Sequence, residues 1–204
     1  MVLKICYIVF AYICGAVPFS FIIAKVFGKV DIRVVGSGNP GATNVFRSVG
    51  KTAGIFAFIL DVLKGFIPVY FAIFIDSTFS YSVIIAASAM SGHVWTVFLT
   101  FKGGKGVATG LGVCLALVPM PSIFAFAVFL LVFLTSGYVA LGSICASLSI
   151  PLACYFFGYR TEPTLFAFAA AVLVIYKHKA NIKRLKDGKE NRFNVFKRKN
   201  KSNF

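Results

Sequence analysis

The stretch GSGNPGATNVFR, residues Gly36 to Arg47, stands between two long apolar runs, and its reading decides what kind of chain this is. Three glycines, a proline, two asparagines, a serine and a threonine in twelve residues do not belong in a hydrocarbon slab. Glycines at this density let backbone N–H groups converge on one point, a concavity that suits an oxyanion. Ser37, Thr43 and Asn44 add short polar side chains, and Arg47 adds a planar cation whose fork matches a phosphate. The stretch reads as a phosphate cradle at a membrane face. A plain polar turn between helices, with Asn39 and Asn44 only capping the loop backbone, is the simpler alternative.

Composition supports the membrane. Of 204 residues 59% are hydrophobic and 13% charged, against about 25% charged in a typical soluble domain. Mean hydropathy is +0.88. Runs of about 20 nearly uncharged residues recur, the length that crosses a bilayer as helix. The formal net charge of +15 is uneven, since eleven of the 21 Lys and Arg residues fall between Lys177 and Lys201. These cations flank spans, which points to topology and anionic lipid and away from nucleic acid. The five cysteines show no metal-ligand spacing and read as small core residues, so no metal or other cofactor is expected.

In chain order, the first apolar run extends from about Leu3 to Phe27, with Pro18 as a kink, and reads as a retained span, not a signal peptide. A second span, about Thr52 to Ile75, holds Asp61 and Lys64, three apart on one helical face and read as a buried ion pair. A third, about Tyr81 to Phe101, holds His93. It leads into FKGGKGVAT, Phe101 to Thr109, where Lys102 and Lys105 flank Gly103 and Gly104 and a helix begins near Val107. Glycines, lysines and a helix N-terminus together suit an anion. The spacing is not that of a nucleotide-binding P-loop. The nearly uncharged stretch from Val107 to Tyr176 breaks at VPMPS, TSG and GYRTEP, giving four short spans of about 14–20 residues.

Parity constrains the arrangement. If the cradle, the FKGGKG loop and the basic tail share a compartment, an even number of spans must separate each from the next, and two and then four do so. The fold class is thus an all-α polytopic membrane protein of about seven transmembrane helices, N-terminus outside and C-terminus cytoplasmic. It forms a single domain, 1–204, in which 177–204 is a basic cytoplasmic tail. A five-span arrangement with re-entrant segments after Val107 keeps the same parity.

Three separated polar segments therefore meet on one face, in a chain with only six carboxylates. No HExxH, Cys/His cluster or GxSxG is present. The acyltransferase pattern of His followed five residues later by Asp is absent too, because Phe98 and Lys183 hold those places.

GSGNPGATNVFR, DVLKG (61–65), Gly92–His93, FKGGKGVAT and HKANIKRLKDGKEN, in that order, resemble the bacterial acyl-phosphate:glycerol-3-phosphate acyltransferases, the PlsY family. The resemblance implies seven spans and an active site on the cytoplasmic face of the bacterial cytoplasmic membrane. It implies transfer of an acyl group from acyl phosphate to the 1-hydroxyl of glycerol 3-phosphate, giving lysophosphatidic acid. Carried over by position, Ser37, Arg47 and Lys105 are catalytic. Gly36, Asn39, Thr43, Asn44, Lys102, Gly103, Gly104 and Ser143 form the substrate site, with His178 and Asn181 on glycerol 3-phosphate. His93, Asp61 and Lys64 would support it. The chain departs from the family pattern at Gly137 and Ala140, where Arg and Ser are commoner, which weakens Ser143. Arg184 reads as a lipid-facing or helix-pinning charge. The base for the 1-hydroxyl is a substrate phosphate oxygen or His178. Expected partners are the two substrates and membrane lipid, with no nucleic acid. A transporter for a phosphorylated anion and a structural membrane subunit are the rival classes.

Overall fold

The structure is a computed structural model and describes residues 1–193; the remainder of the expected tail, 194–204, lies outside the described residues. The described chain is helical, in ten α-helices: α1 (Val2–Ala16), α2 (Phe19–Gly28), α3 (Ala42–Ser48), α4 (Lys51–Ala72), α5 (Phe79–Val94), α6 (Val107–Leu117), α7 (Pro119–Ser136), α8 (Val139–Phe156), α9 (Thr161–Lys177) and α10 (Lys179–Lys186). Five segments are long and apolar enough to cross a membrane, counting α1 and α2 as one, and six if α9 and α10 form one span bent by 57°. Large apolar side chains such as Phe10, Phe56, Leu131 and Phe168 remain exposed around the bundle, as lipid contact requires.

The breaks fall where the sequence places them. Pro18, lacking an amide hydrogen, ends α1 and starts α2. Gly137, at φ +78°, closes α7 in the left-handed region. The seventh expected span is the exception. α6 has only 11 residues, about 16 Å of helix against a hydrocarbon core of about 30 Å. It runs from the expected start at Val107 to the expected break at Val118, and the 11 residues between them fall short of the roughly 14–20 expected for a span.

Small residues let the helices approach. A Cβ on Gly15 would come within 1.9 Å of the Ala89 carbonyl oxygen, and one on Gly112 within 2.0 Å of that of Val62. These contacts join α1 to α5 and α4 to α6, van der Waals packing that needs no difference in polarity from lipid. At the end of the α1–α5 pair opposite the cradle, Lys4 pairs with Asp76. Of the five cysteines Cys114 and Cys154 are buried as expected, but Cys6 is exposed on the lipid-facing side of α1.

The α4–α5–α6 core holds the expected ion pair, Lys64 Nζ to Asp61 Oδ1 at 2.7 Å. Ser20 Oγ donates to Asp61 Oδ2 at 2.8 Å, and Lys64 Nζ donates to the Val17 carbonyl at 2.8 Å. The pair thus pins α4 against the α1–α2 break, directly behind the cradle.

Candidate active site

The cradle is built around Asn44. Its side-chain amide donates to the carbonyls of Ile32, Val35 and Asn39 at 2.9–3.2 Å, and its Oδ1 accepts the Ser37 N–H at 3.0 Å. Asn44 is 2% exposed, so these bonds satisfy a buried amide that would otherwise be costly. Gly36 sits at φ +59°, and a Cβ there would lie 2.3 Å from Asn44 Oδ1. Asn44 and Gly36 therefore shape the loop, as the capping alternative holds. The same wrapping turns Ser37, Asn39, Thr43 and Arg47 toward a single cavity.

That cavity has a volume of about 450 Å³. Its polar end joins the cradle to the second and third motifs: Lys105, His178, Asn181 and Arg184 line it, and Gly106 to Ala108 bring the α6 N-terminus to its wall. Lys105 Nζ donates to Asn181 Oδ1. Asn181 Nδ2 donates to Glu190 Oε1 at 3.0 Å, and Arg184 Nε to Glu190 Oε2 at 2.7 Å. His178 Nδ1 donates to the Val174 carbonyl at 2.7 Å, which leaves Nε2 carrying the lone pair in the neutral ring. Burial pulls the Lys105 ammonium down to about 8, helped by Arg184 and Arg47 and opposed by Glu190. Like charges gathered in a partly buried site disfavour one another, and Glu190 offsets only part of that.

The rest of the cavity is hydrocarbon. It runs between α4, α6, α7, α8 and α9 along Phe58, Leu111, Phe129, Ala146, Ile150 and Ala171. One site therefore offers charge at one end and an apolar trough at the other.

Several expected residues sit elsewhere. Lys102 is exposed and away from the cavity. The Gly103 and Gly104 N–H groups donate to the carbonyls of Val94 and His93, both at 3.2 Å, so they anchor the loop to α5 and are not free for an anion. Asp61 and Lys64 border a second, water-sized cavity with Gly103 and Gly104, while His93 borders both cavities. His93 Nδ1 stands 4.0 Å from Asp61 Oδ1. Ser143 lines the main cavity, though its hydroxyl donates to the Val139 carbonyl at 2.8 Å.

Two residues gain weight. Arg184 is a cavity residue and not a lipid-facing charge. Glu190, 8% exposed, is the carboxylate of the polar end. Scarcity of acids was the only sequence signal for it. Phe193 also lines the cavity, with the Arg47 guanidinium carbon 4.5 Å from its ring centroid.

Helices long and apolar enough to span a membrane enclose a cavity that is cationic at one end and apolar along the rest, the architecture of an integral membrane protein with a candidate site for an amphiphile. The comparisons identify the family. Residues 5–188 match the family described as glycerol-3-phosphate acyltransferase, and the chain belongs to that family. It is 61% identical over 199 residues to the glycerol-3-phosphate acyltransferase of Endomicrobium trichonymphae, covering 98% of this chain and 100% of the relative. The corresponding protein of Aquifex aeolicus is 46% identical over 187 residues, covering 91% and 97%. Among solved structures, the glycerol 3-phosphate form of PlsY, an integral membrane glycerol 3-phosphate acyltransferase, aligns with a TM-score of 0.89 at 42% identity, covering 94% of this chain and 96% of that one. Its lysophosphatidic acid form aligns at 0.87 and 41%, with the same coverage.

Proposed function

We propose that this multi-pass membrane acyltransferase moves a fatty acyl group from acyl phosphate to the 1-hydroxyl of glycerol 3-phosphate, yielding lysophosphatidic acid and phosphate. The observation that carries this reading is the division of one cavity into a cationic end, at Arg47, Lys105 and Arg184, and a long apolar remainder. A transporter would need polar groups along its path, whereas here they gather at one end.

Both substrates bear phosphate dianions. Two unit charges 4 Å apart repel by about 4 kcal/mol at an effective dielectric constant near 20, so bringing the dianions together requires fixed cations. Arg47 and Lys105 supply them, with Ser37 and Thr43 as hydroxyl donors. His178 and Asn181 orient glycerol 3-phosphate. The substrate 1-hydroxyl oxygen bonds to the acyl carbon, the bond from that carbon to the phosphate oxygen breaks, and inorganic phosphate leaves. The hydroxyl proton passes to a substrate phosphate oxygen. Acyl phosphate is already activated, so no acyl-enzyme is needed, and proximity with charge stabilisation supplies the rate.

We place the cradle, the FKGGKG loop and α10 on the cytoplasmic face of the bacterial inner membrane, with α6 as a short seventh span and the N-terminus outside. Purified protein in detergent, given acyl phosphate and radiolabelled glycerol 3-phosphate, is expected to form labelled lysophosphatidate. Activity with acyl-CoA alone would overturn the donor, and no product with either donor would overturn the reaction.

A further inference from the structure

After α10 the chain turns back along the polar end of the cavity, where Glu190 and Phe193 line it. Glu190 is fixed inside by Asn181 and Arg184. Three residues later the Phe193 N–H donates to the Gly137 carbonyl at 2.8 Å, and Arg192 Nε to the Ser136 carbonyl at 3.0 Å. The segment 190–193 is thereby tied at one end to α10 and at the other to the α7–α8 turn. Between the ties it grips Arg47. The Asn191 carbonyl accepts from Arg47 Nη2 at 3.2 Å, and the Phe193 ring lies under the guanidinium. That ring also meets Phe46 and Phe133 edge-on, at 5.7 and 5.8 Å between centroids. Gly137 makes room for the crossing, since a Cβ there would stand 2.6 Å from the Phe193 carbonyl oxygen and 2.9 Å from Arg192 Cγ.

We propose that residues 190–193 form a strap that sets the plane of Arg47, making Phe193 a positioning residue for phosphate bound at that guanidinium; the proposal rests on the acyl-transfer reading above. A guanidinium spends its fork on a phosphate only if its plane is held; the Phe193 ring holds it without using a donor, and the Asn191 carbonyl takes one Nη2 N–H and leaves the other four. Phe193 does not touch reacting atoms and acts through Arg47.

The test compares Phe193→Tyr, Phe193→Leu and Phe193→Ala in the full-length enzyme, with KM for each phosphate substrate, kcat and melting temperature measured together. Tyr keeps the aromatic face and is expected to match the parent. Leu keeps apolar bulk without the face, so its melting temperature stays near the parent's while KM for one phosphate substrate rises about three- to thirtyfold. If Phe193→Leu matches the parent in KM and kcat, the strap does not position Arg47 and the proposal fails. If Phe193→Tyr is as impaired as Phe193→Leu, the ring face is irrelevant and the proposal fails equally. Should Phe193→Ala not fold, the Tyr and Leu variants decide. Absence of acyl transfer from either donor in the parent protein would instead refute the reaction, an outcome separate from any difference among these variants.

Discussion

Lys105 donates to the side-chain oxygen of Asn181, a bond that joins the loop before α6 to α10 across 76 positions of sequence. It orients the amide so that Asn181 Nδ2 meets Glu190, and Glu190 in turn holds Arg184. Two cations, an amide and a carboxylate thus form one chain of contacts. Removing one member leaves its neighbours buried without a partner, so the cost exceeds that of a surface charge.

Removing the Lys105 charge tests the core of the site. Lys105→Ala is expected to lower kcat/KM by about tenfold to a hundredfold, the worth of a charge-assisted hydrogen bond at roughly 1.5–3 kcal/mol. Arg47→Lys keeps the charge but loses the fork, and should raise KM for a phosphate substrate with melting temperature unchanged. Steady-state kinetics on both variants checks this.

With Lys105 binding phosphate as proposed, the pH profile of kcat/KM is expected to follow its ammonium, which burial pulls down to about 8. A depressed lysine loses its proton as pH rises through that value, and with it the attraction for phosphate. kcat/KM should therefore fall above about pH 8, by up to tenfold per unit. Bound dianion raises the ammonium again, so kcat at saturation should stay flat over the same range. Lys105→Arg should move the break upward if the protein remains active, and an unmoved break would assign it to another group.

His178 separates two bases. If a substrate phosphate takes the hydroxyl proton, His178→Gln raises KM for glycerol 3-phosphate and leaves kcat within a few-fold. If the imidazole is the base, the loss falls on kcat and reaches about 10²–10⁴-fold.

Asn44 is expected to matter for stability before chemistry. Asn44→Ala strands three carbonyls and the Ser37 amide, at an expected cost of about 2–4 kcal/mol. Thermal unfolding in detergent measures it, and activity should fall with the folded fraction.

The apolar trough predicts chain-length selection. Ala146 lines it on α8, seven positions from the helix start at Val139, about 10 Å along the axis. Ala146→Phe should lower kcat/KM for long acyl phosphates about tenfold or more relative to short ones. Equal losses for all lengths would place the chain elsewhere.

Much of this was legible in the sequence because it is local. Glycines and prolines mark helix breaks wherever they stand, so Pro18, Val118–Ser122 and Gly137 divided the apolar runs correctly. Residue type also announced Arg47 and Lys105, two of the three cations of the polar end. What stayed hidden depends on the third dimension. Gly103 and Gly104 look like anion donors until α5 presents its terminal carbonyls to them. Arg184 and Glu190 are six apart, a spacing that shares no helical face, and they meet because the chain reverses after α10. Nothing in a phenylalanine near the end of a basic tail says that it lies beneath Arg47.

The shape of the cavity also bears on the fate of the product. On the proposed reaction, with the polar end of the cavity at the membrane face, a lysophosphatidate made there would be aligned like the lipids outside, headgroup toward the water and tail beside other tails. It would then need neither to turn over nor to cross an aqueous gap, and would depart by a sideways glide into the leaflet. Turnover in thick or gel-phase membranes would then be limited by how readily neighbouring lipid parts to admit the newcomer.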